Sequence, residues 1–585
     1  MHIWILKYGA SSFSDDFLSE ANNITQQISQ LHLKEIYQKK FGNFHLVSFC
    51  TKFEKSQKRY LQSDDENLKG YSGLLIGKNT TDVDYRDIKN IDCNTPEEYN
   101  GQYALFQLNK DQFVCSGDNF GFHKVFYFQK GNEIYVTNYL KLLQATKAIT
   151  ANPEQVLSDF LTSRFGVFPG YNTLFKEVFT LPEYGMLTIQ EGVMKVASYK
   201  DVNELLVPAN NFEHNIQKTA FEYKNAALYL RNFHKTAIGV SGGFDGRLML
   251  SFFYNTQGKS LETYTYNRAG KLDLWIASYL SRKFRVPHKK FELEIKLNDF
   301  TPVLNEFKDS KGDAFTNALD QSVGRFFETD DSFKVSLGGN GADTDWEFGE
   351  KKLKYLKTEN FKSFISSYAL MLVTHPLVSE KVTQQLADRI EYYLYNKYKV
   401  FESKENYIQL LASAFFHLER FRGEQGFVYS QRGNVNKDIF APFAIESFNQ
   451  CVFSATKNQL QRTLKEGIHF RLYYELTEGK VPYAPILTAR NEFGKNLFQK
   501  ALNYIAPTLP KLIWKLFGGD TNQRIRKKYA KNTNDLSKDY LMKNHESALW
   551  QYLDYATLQK GLNDGYNGQY NTIATMVKFI ENNTQ

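Results

Sequence analysis

The rhythm of hydrophobic and polar positions changes once along this chain. Up to about residue 200, apolar positions come in short runs rich in β-branched and aromatic residues, at 45–49, 103–108, 112–115, 124–128 and 133–137. Turn-forming triplets separate several of them: Asn109-Lys110-Asp111, Ser116-Gly117-Asp118 and Lys130-Gly131-Asn132. Runs of this kind predict strands joined by tight turns in an antiparallel meander. Residues 186–190 and 194–197 bracket Glu191-Gly192 and predict a further hairpin. Short helices are expected at 139–145 and 153–162.

Near 203–208 the texture changes. A helical period over 212–234 leads into an apolar run at 236–240, then a helix at 247–254, a strand at 261–266, a helix at 273–284 and a strand at 334–337. Alternation of strand and helix predicts a parallel α/β sheet. Beyond Phe348 the pattern is mostly helical. The expected architecture is an α+β domain over 1–205, followed over 206–585 by an α/β domain whose last part is largely helical.

Composition narrows the classes. With 42% hydrophobic and 23% charged residues the chain is neither disordered nor fibrous, and 585 residues exceed what one core organises. The four cysteines, at 50, 93, 115 and 451, form no CxxC pair, which excludes a disulfide scaffold or a cysteine-based zinc module and suits a reducing cytoplasm. The formal charge of +8 is mild for this length and favours an anionic small ligand over nucleic acid. The start of the sequence lacks a basic region and a long apolar stretch, and no apolar run reaches bilayer length, so a cytoplasmic protein without a membrane partner is expected. The basic stretch 511–534, with Arg524, Arg526, Lys527, Lys528 and Lys531, reads as a solvated charged face.

The most informative chemistry lies at 236–250, where an apolar strand runs through Val240 into Ser241-Gly242-Gly243 and a helix follows. Glycines let backbone N–H groups approach phosphate oxygens, and the helix N-terminus adds its positive dipole end. Asp245 in the first turn repels phosphate unless a cation such as Mg²⁺ lies between them. No Walker A Gly-Lys-Ser/Thr and no GxGxxG follows.

Val240 to Asp245 resembles the PP-loop of ATP pyrophosphatases, whose pattern is SGGxDS. The segment 336–345, Ser-Leu-Gly-Gly-Asn-Gly-Ala-Asp-Thr-Asp, is similar to the SGxGxDE segment of the asparagine synthetase family, and Phe440-Ala441-Pro442-Phe443 is similar to that family's "PF" segment. Residues 100–106, 116–127 and 134–143 resemble the class II glutamine amidotransferase domain that precedes the PP-loop domain in asparagine synthetases. The resemblance covers most of the chain at low identity. It implies an Ntn-type αββα sandwich in front of the PP-loop domain, with ATP and Mg²⁺ as cofactors. It also implies site roles: Asp245 and Asp343 as Mg²⁺ carboxylates, and Val240, Ser241, Gly242, Gly243, Tyr266, Gly338 and Gly339 around ATP, the adenine held mainly by backbone groups. Asn340 would face the chemistry, Arg247 would add charge to phosphate or sit as a surface arginine, and Lys480 is the candidate for a transition-state lysine. Glu419, Arg420 and Arg422 form a polar cluster read as salt bridges.

The sequence also departs from that pattern. A glutaminase of this class needs an N-terminal cysteine, yet residue 2 is His, read here as an edge-strand residue. Gly246 replaces the second serine of SGGxDS, Asn340 stands where asparagine synthetases have Glu and β-lactam synthetases have Tyr, and Thr344 replaces the acid of "DE". The resemblance is nearest to β-lactam synthetases and lasso peptide cyclases, which close amides without glutamine. It implies an ATP-dependent, AMP-forming ligase acting on a small molecule or peptide, with a precursor-peptide-processing partner. An ammonia-using amidotransferase of an amino acid or sugar acid, a decayed binding scaffold and an RNA-modifying PP-loop enzyme are the alternatives.

Overall fold

The computed structural model describes residues 2–28, 33–51, 60–161, 169–241, 243–266, 271–291, 334–339, 359–426, 437–456, 462–481, 537–563 and 570–583. Among them, the front part builds two stacked antiparallel sheets of six strands each. The strands are β1 (His2–Tyr8), β2 (Leu33–Phe41), β3 (Phe44–Thr51), β4 (Leu61–Ser63), β5 (Asn67–Gly77), β6 (Tyr99–Asn109), β7 (Gln112–Gly117), β8 (Phe126–Lys130), β9 (Glu133–Thr137), β10 (Phe179–Thr180), β11 (Gly185–Gln190) and β12 (Val193–Ser198). The first sheet runs β10-β8-β9-β1-β3-β2 and the second β12-β11-β7-β6-β5-β4.

Period-two alternation in β1 shows how the layers form. Trp4 and Leu6 pack between the sheets with Phe106, Phe113 and Leu187. Ile3 and Ile5 face the other way, onto Phe17 and Ala21 of helix α1 (Asp15–Ile28) and Leu140 and Leu143 of helix α2 (Leu140–Ala145). His2 is therefore no edge residue. It is buried in a strand flanked by β3 and β9, and beyond the β9 ladder the Asn138 side chain takes over, accepting from the Trp4 N–H and donating to the His2 carbonyl, both at 2.9 Å. The local pattern predicted a meander; the β1–β9 pairing, between segments some 130 residues apart, breaks that order and leaves no local trace.

Strand β5 was hidden by its three glycines. At Gly73 φ is +88°, and a Cβ there would lie 2.1 Å from the Gln102 carbonyl oxygen of the neighbouring strand. Glycine alone permits that approach, at the cost of the strand signature.

The chain then passes through helix α3 (Pro153–Leu161) and helix α4 (Val202–Leu206) to α5 (Phe212–Phe233), whose Asn211 cap accepts from the His214 N–H at 2.9 Å. A second sheet system follows. β13 (Thr236–Gly239), helix α6 (Phe244–Ser251), β14 (Leu261–Tyr266), helix α7 (Lys271–Lys283), β15 (His288–Phe291), β16 (Val335–Leu337) and β17 (Asp438–Phe440) give a parallel sheet ordered β15-β14-β13-β16-β17. Between β16 and β17 come α8 (Phe361–Val373), α9 (Glu380–Tyr398) and α10 (Tyr407–Ala414), which widens into a π-helical stretch at Phe415–Gln425. After β17 follow α11 (Glu446–Ser454), α12 (Arg462–Thr477), α13 (Tyr555–Asn563) and α14 (Tyr570–Asn582).

The two parts share one continuous hydrophobic core. Tyr71, Leu75, Tyr103 and Leu105 of the second antiparallel sheet belong to the same cluster as Tyr223 and Ala227 of α5 and Phe440 of β17. A buried ionic cluster reinforces this junction. Glu183 contacts Lys397 at 3.1 Å and Arg422 at 3.2 Å, and Glu419 contacts the same two cations at 2.7 and 3.3 Å. The hydroxyls of Tyr171, Tyr393 and Tyr398 and the Gly170 N–H donate to the two carboxylates. Glu419 and Arg422 thus form salt bridges, as read from the sequence. The last helix returns to the front part: the Ala151 N–H donates to the Asn583 carbonyl at 2.8 Å, the Gln144 amide donates to the Asn583 side chain, and Phe579 packs edge-on against Phe175.

Candidate active site at the switch point of the parallel sheet

In the order β15-β14-β13-β16-β17 the chain starts in the middle, builds one side, then crosses to the other. The reversal falls between β13 and β16. In open parallel sheets the crevice at the carboxyl ends of two such strands receives the ligand. Two glycine-containing loops lead out of those strands, Ser241 to Gly243 after β13 and Gly338-Gly339 after β16.

Ser241 and Gly243 are exposed, and the Ser241 hydroxyl accepts the Gly243 N–H at 3.1 Å, which pins the turn. Gly243 caps α6 with extended backbone, so the N–H groups of the first turn open towards the loop. Asp245 sits in that turn, its side chain 32% exposed. The second loop reaches the same place: a Cβ on Gly339 would lie 3.6 Å from the Asp245 Cβ and 3.1 Å from the Met249 methyl. Segments nearly one hundred residues apart in sequence are thereby adjacent.

Gly246 has a packing reason. A Cβ there would come within 3.1 Å of the Val240 Cα and 3.2 Å of the Gly239 carbonyl oxygen. The first turn of α6 lies against the end of β13 where a serine would crowd it.

The backbone of Val240 is already engaged. Its N–H donates to the Tyr264 carbonyl at 2.9 Å and its carbonyl accepts the Thr265 hydroxyl. The N–H is not available to adenine, and the carbonyl keeps one lone pair. Gly338 likewise spends its N–H on the Phe440 carbonyl at 3.0 Å. Tyr266 ends β14, next to β13.

Arg247 is not a surface residue. It is fully buried on α6, close to Tyr473 of α12. Burial raises the Tyr473 phenol well above its ordinary range, and the Arg247 charge pulls the other way. His469, one turn before Tyr473, is also buried and turns its Nδ1 to the Asp245 carboxylate at 3.9 Å. The sequence reading missed His469 and Tyr473. Their only signal is the i, i+4 spacing of two polar aromatic residues on one helix, more than 200 residues from the loop.

Lys480 is placed elsewhere. It is exposed just past the C-terminal end of α12, paired with Glu478 and electrostatically close to Tyr254. Tyr254 lies past the far end of α6 from the loop. From His469 to the end of α12 alone the helix rises about 12 Å. Gly242, Asn340, Asp343 and the basic stretch 511–534 lie outside the described residues.

The donors present suit Mg²⁺. Among the described residues no group of three or more His, Cys, Asp or Glu side chains is placed to hold a metal. One carboxylate beside two backbone loops, the remaining positions filled by phosphate oxygens and water, is how this small hard cation is usually bound.

The front part offers no activated thiol at residue 2. Burial brings the His2 imidazole down to about 4, so it is neutral, with Nδ1–H donating to the Tyr71 carbonyl at 2.7 Å. All four cysteines are buried, and burial pushes Cys93 and Cys451 up to about 12 and Cys115 higher still. Among the described residues no helix is long and apolar enough to cross a membrane.

No family model matches the sequence, and no curated protein does. Among solved structures, the chain is similar to the glutamine phosphoribosylpyrophosphate amidotransferase from B. subtilis, complexed with ADP and GMP, at 7% identity and a TM-score of 0.24, covering 50% of this chain and 65% of that one. It is similar to an allosteric regulatory enzyme of purine biosynthesis at 10% identity and a TM-score of 0.23, covering 44% and 64%. It is also similar to the glutamine-dependent NAD⁺ synthetase from Acinetobacter baumannii, in complex with ADP, at 15% identity and a TM-score of 0.19, covering 46% and 60%. The chain thus spans less than two thirds of each of these three structures, and at such identities and scores no activity follows from the likeness.

Proposed function

We propose that this chain is an ATP-dependent ligase that forms amide bonds by adenylating a carboxylate, without a glutaminase of its own. The observation that carries the reading is the meeting of the Ser241–Gly243 loop, the N-terminus of α6, Asp245 and Gly339 at the switch point of the parallel sheet. In this reading Ser241, Gly243 and the first-turn N–H groups of α6 cradle the phosphates, and Gly242 shares that task. Val240, Tyr266, Gly338 and Gly339 border the nucleoside, with Val240 offering its carbonyl and not its N–H. Asp245, joined by Asp343, would hold Mg²⁺, which when bound offsets the charge that develops on pyrophosphate.

The reaction has two steps. A substrate carboxylate oxygen attacks the α-phosphorus of ATP, and pyrophosphate leaves. An amine then attacks the acyl carbon, loses a proton and displaces AMP. Fixed donors at the loop stabilise the leaving charge without reorganisation, and holding acid and amine together supplies the entropic part of the acceleration. In this reading the deeply buried Arg247 of α6 would add positive potential to the phosphate side. Asn340 would border the acceptor. The preferred product is a macrolactam or isopeptide within one peptide, as in lasso peptide cyclisation, with a small molecule or a precursor peptide supplied by a processing partner as substrate, in the cytoplasm.

ATP–pyrophosphate exchange with candidate carboxylates tests this. Exchange lost on Asp245→Ala supports it. Absence of both ATP binding and exchange in the wild type leaves only a scaffold. Amide formation that depends on free ammonia replaces the intramolecular acceptor by an amidotransferase reaction.

A further inference from the structure

Backbone ladders tie each strand of a sheet only to its neighbours. β14 and β16 lie on either side of β13, so a direct tie between them has to come from side chains that reach across it. One pair does so. The Tyr264 hydroxyl on β14 and the Ser336 hydroxyl on β16 share a buried hydrogen bond at 3.1 Å. Strands two spacings apart are separated by about 9–10 Å, a gap that a tyrosine and a serine together can close.

The register puts both residues on one face. Tyr264 pairs with Gly239 and Ser336 with Ala237, and Ala237 and Gly239 are two residues apart on β13. The tyrosine ring passes over Gly239. A Cβ there would lie 3.3 Å from the Tyr264 hydroxyl oxygen and 3.4 Å from its Cζ. Glycine weakens a strand, and here it leaves room for the ring to cross. On the outer side Phe291 of β15 stands edge-on to Tyr264, the ring centroids 6.0 Å apart at 72°. The Tyr264 carbonyl also accepts the Val240 N–H at 2.9 Å. The same residue thus bonds β16 through its side chain and the exit of β13 through its main chain.

This tie lies near the strand ends that open into the crevice. Tyr264 is two residues before Tyr266, the end of β14, and Ser336 is two residues before Gly338, which follows β16. Sheets twist, so strands two apart fan out along their length, and a bond at this level limits how far their ends part.

We propose that Tyr264 is a positioning residue that sets the width of the crevice on its nucleoside side, by tying β14 to β16 across Gly239. The proposal rests on the adenylating ligase reading and says what holds Tyr266 at a fixed distance from Gly338 and Gly339. The phosphate side does not depend on this tie, because Ser241, Gly243 and the first turn of α6 belong to one continuous segment.

The test uses the full chain with Mg²⁺ and two probes, ATP and inorganic tripolyphosphate, each titrated by calorimetry. Tyr264→Phe keeps the ring over Gly239 and removes the bond. It should weaken ATP binding about three- to tenfold, the size of one hydrogen bond, and leave tripolyphosphate within about twofold. Ser336→Ala should do the same, and the double variant should bind ATP no worse than either single one. Ser281→Ala removes a different buried bond of β14, the 2.7 Å contact between the Ser281 and Thr263 hydroxyls on the α7 side, and should bind both probes as the wild type does. Unchanged ATP affinity in folded Tyr264→Phe and Ser336→Ala overturns the proposal while the ATP site stands. Losses that add in the double variant overturn it too, as do equal losses for ATP and tripolyphosphate or an equal loss in Ser281→Ala, which a general loosening of the sheet would give. A wild-type protein that binds neither probe removes the ligase reading itself.

Discussion

Two groups of charged side chains in this molecule are built on opposite plans. In the cluster of Glu183, Lys397, Glu419 and Arg422, no side chain is more than 9% exposed, two acids face two bases, and three tyrosine hydroxyls and a backbone N–H fill further lone pairs. At the switch point, Asp245 is partly open, meets a histidine at 3.9 Å, and has polar backbone on either side. The first group spends its hydrogen-bonding capacity on itself and its immediate neighbours. The second is partly open to solvent. Both contain charged groups, so charge alone does not tell them apart; exposure to solvent does.

Changes at the two groups should therefore separate stability from activity. The largest effect is expected from Glu419→Gln, which leaves Lys397 and Arg422 buried with a single acid; a loss of about 3–5 kcal/mol in chemical denaturation is expected. Asp245→Ala should do the reverse, lowering exchange about a hundredfold or more while shifting stability by less than about 1 kcal/mol. If both variants lose stability alike, the contrast between the groups fails.

The pH response sharpens it further. Burial pushes the Glu183 carboxyl up, but Lys397 and Arg422 outweigh it and hold the group at about 2, below its ordinary 4.5. A depressed folded-state value means that the stabilisation is fully present above about pH 4.5 and is lost as pH falls towards 2. Acid denaturation should begin in that window, and Glu183→Gln should flatten its pH dependence there. A smaller effect is expected at Gly246→Ser: about 1–3 kcal/mol of strain from the crowding against Val240, and no gain in exchange. An increase in exchange would show that the missing hydroxyl, and not the packing of α6, sets the rate.

The parts of the site that the sequence made legible are local. β13, the Ser241–Gly243 turn and α6 follow one another directly, so period, glycine and helix start are readable together. What remained hidden depends on distance in sequence. His469 reaches Asp245 only because α12 packs on α6, and nothing near residue 469 announces it. Val240 was expected to hold adenine through its backbone, and a sequence does not show that a neighbouring strand has already taken its N–H. Lys480 was chosen for its residue type in a loop, and its position beyond the end of α12 depends on helix direction. Arg247 was left open between phosphate and surface, and burial removes the surface reading. In the front part, hairpins were readable from their turns, whereas β1 between β3 and β9 and the glycine-interrupted β5 required pairing partners no window contains.

The return of α14 to the front part has a consequence in time. Ala151, Gln144 and Phe175 receive Phe579 and Asn583, and about 400 residues separate the two sides of that contact. At translation rates of about 5–20 residues per second, the front sandwich waits roughly 20–80 s for the segment that covers this flank. During that interval Ala151, Gln144 and Phe175 lack the contacts that α14 and Asn583 give them in the finished fold. The nascent protein is therefore most exposed to misassembly between completion of the sandwich and arrival of α14, a period set by the ribosome and not by the strength of any contact in the finished fold.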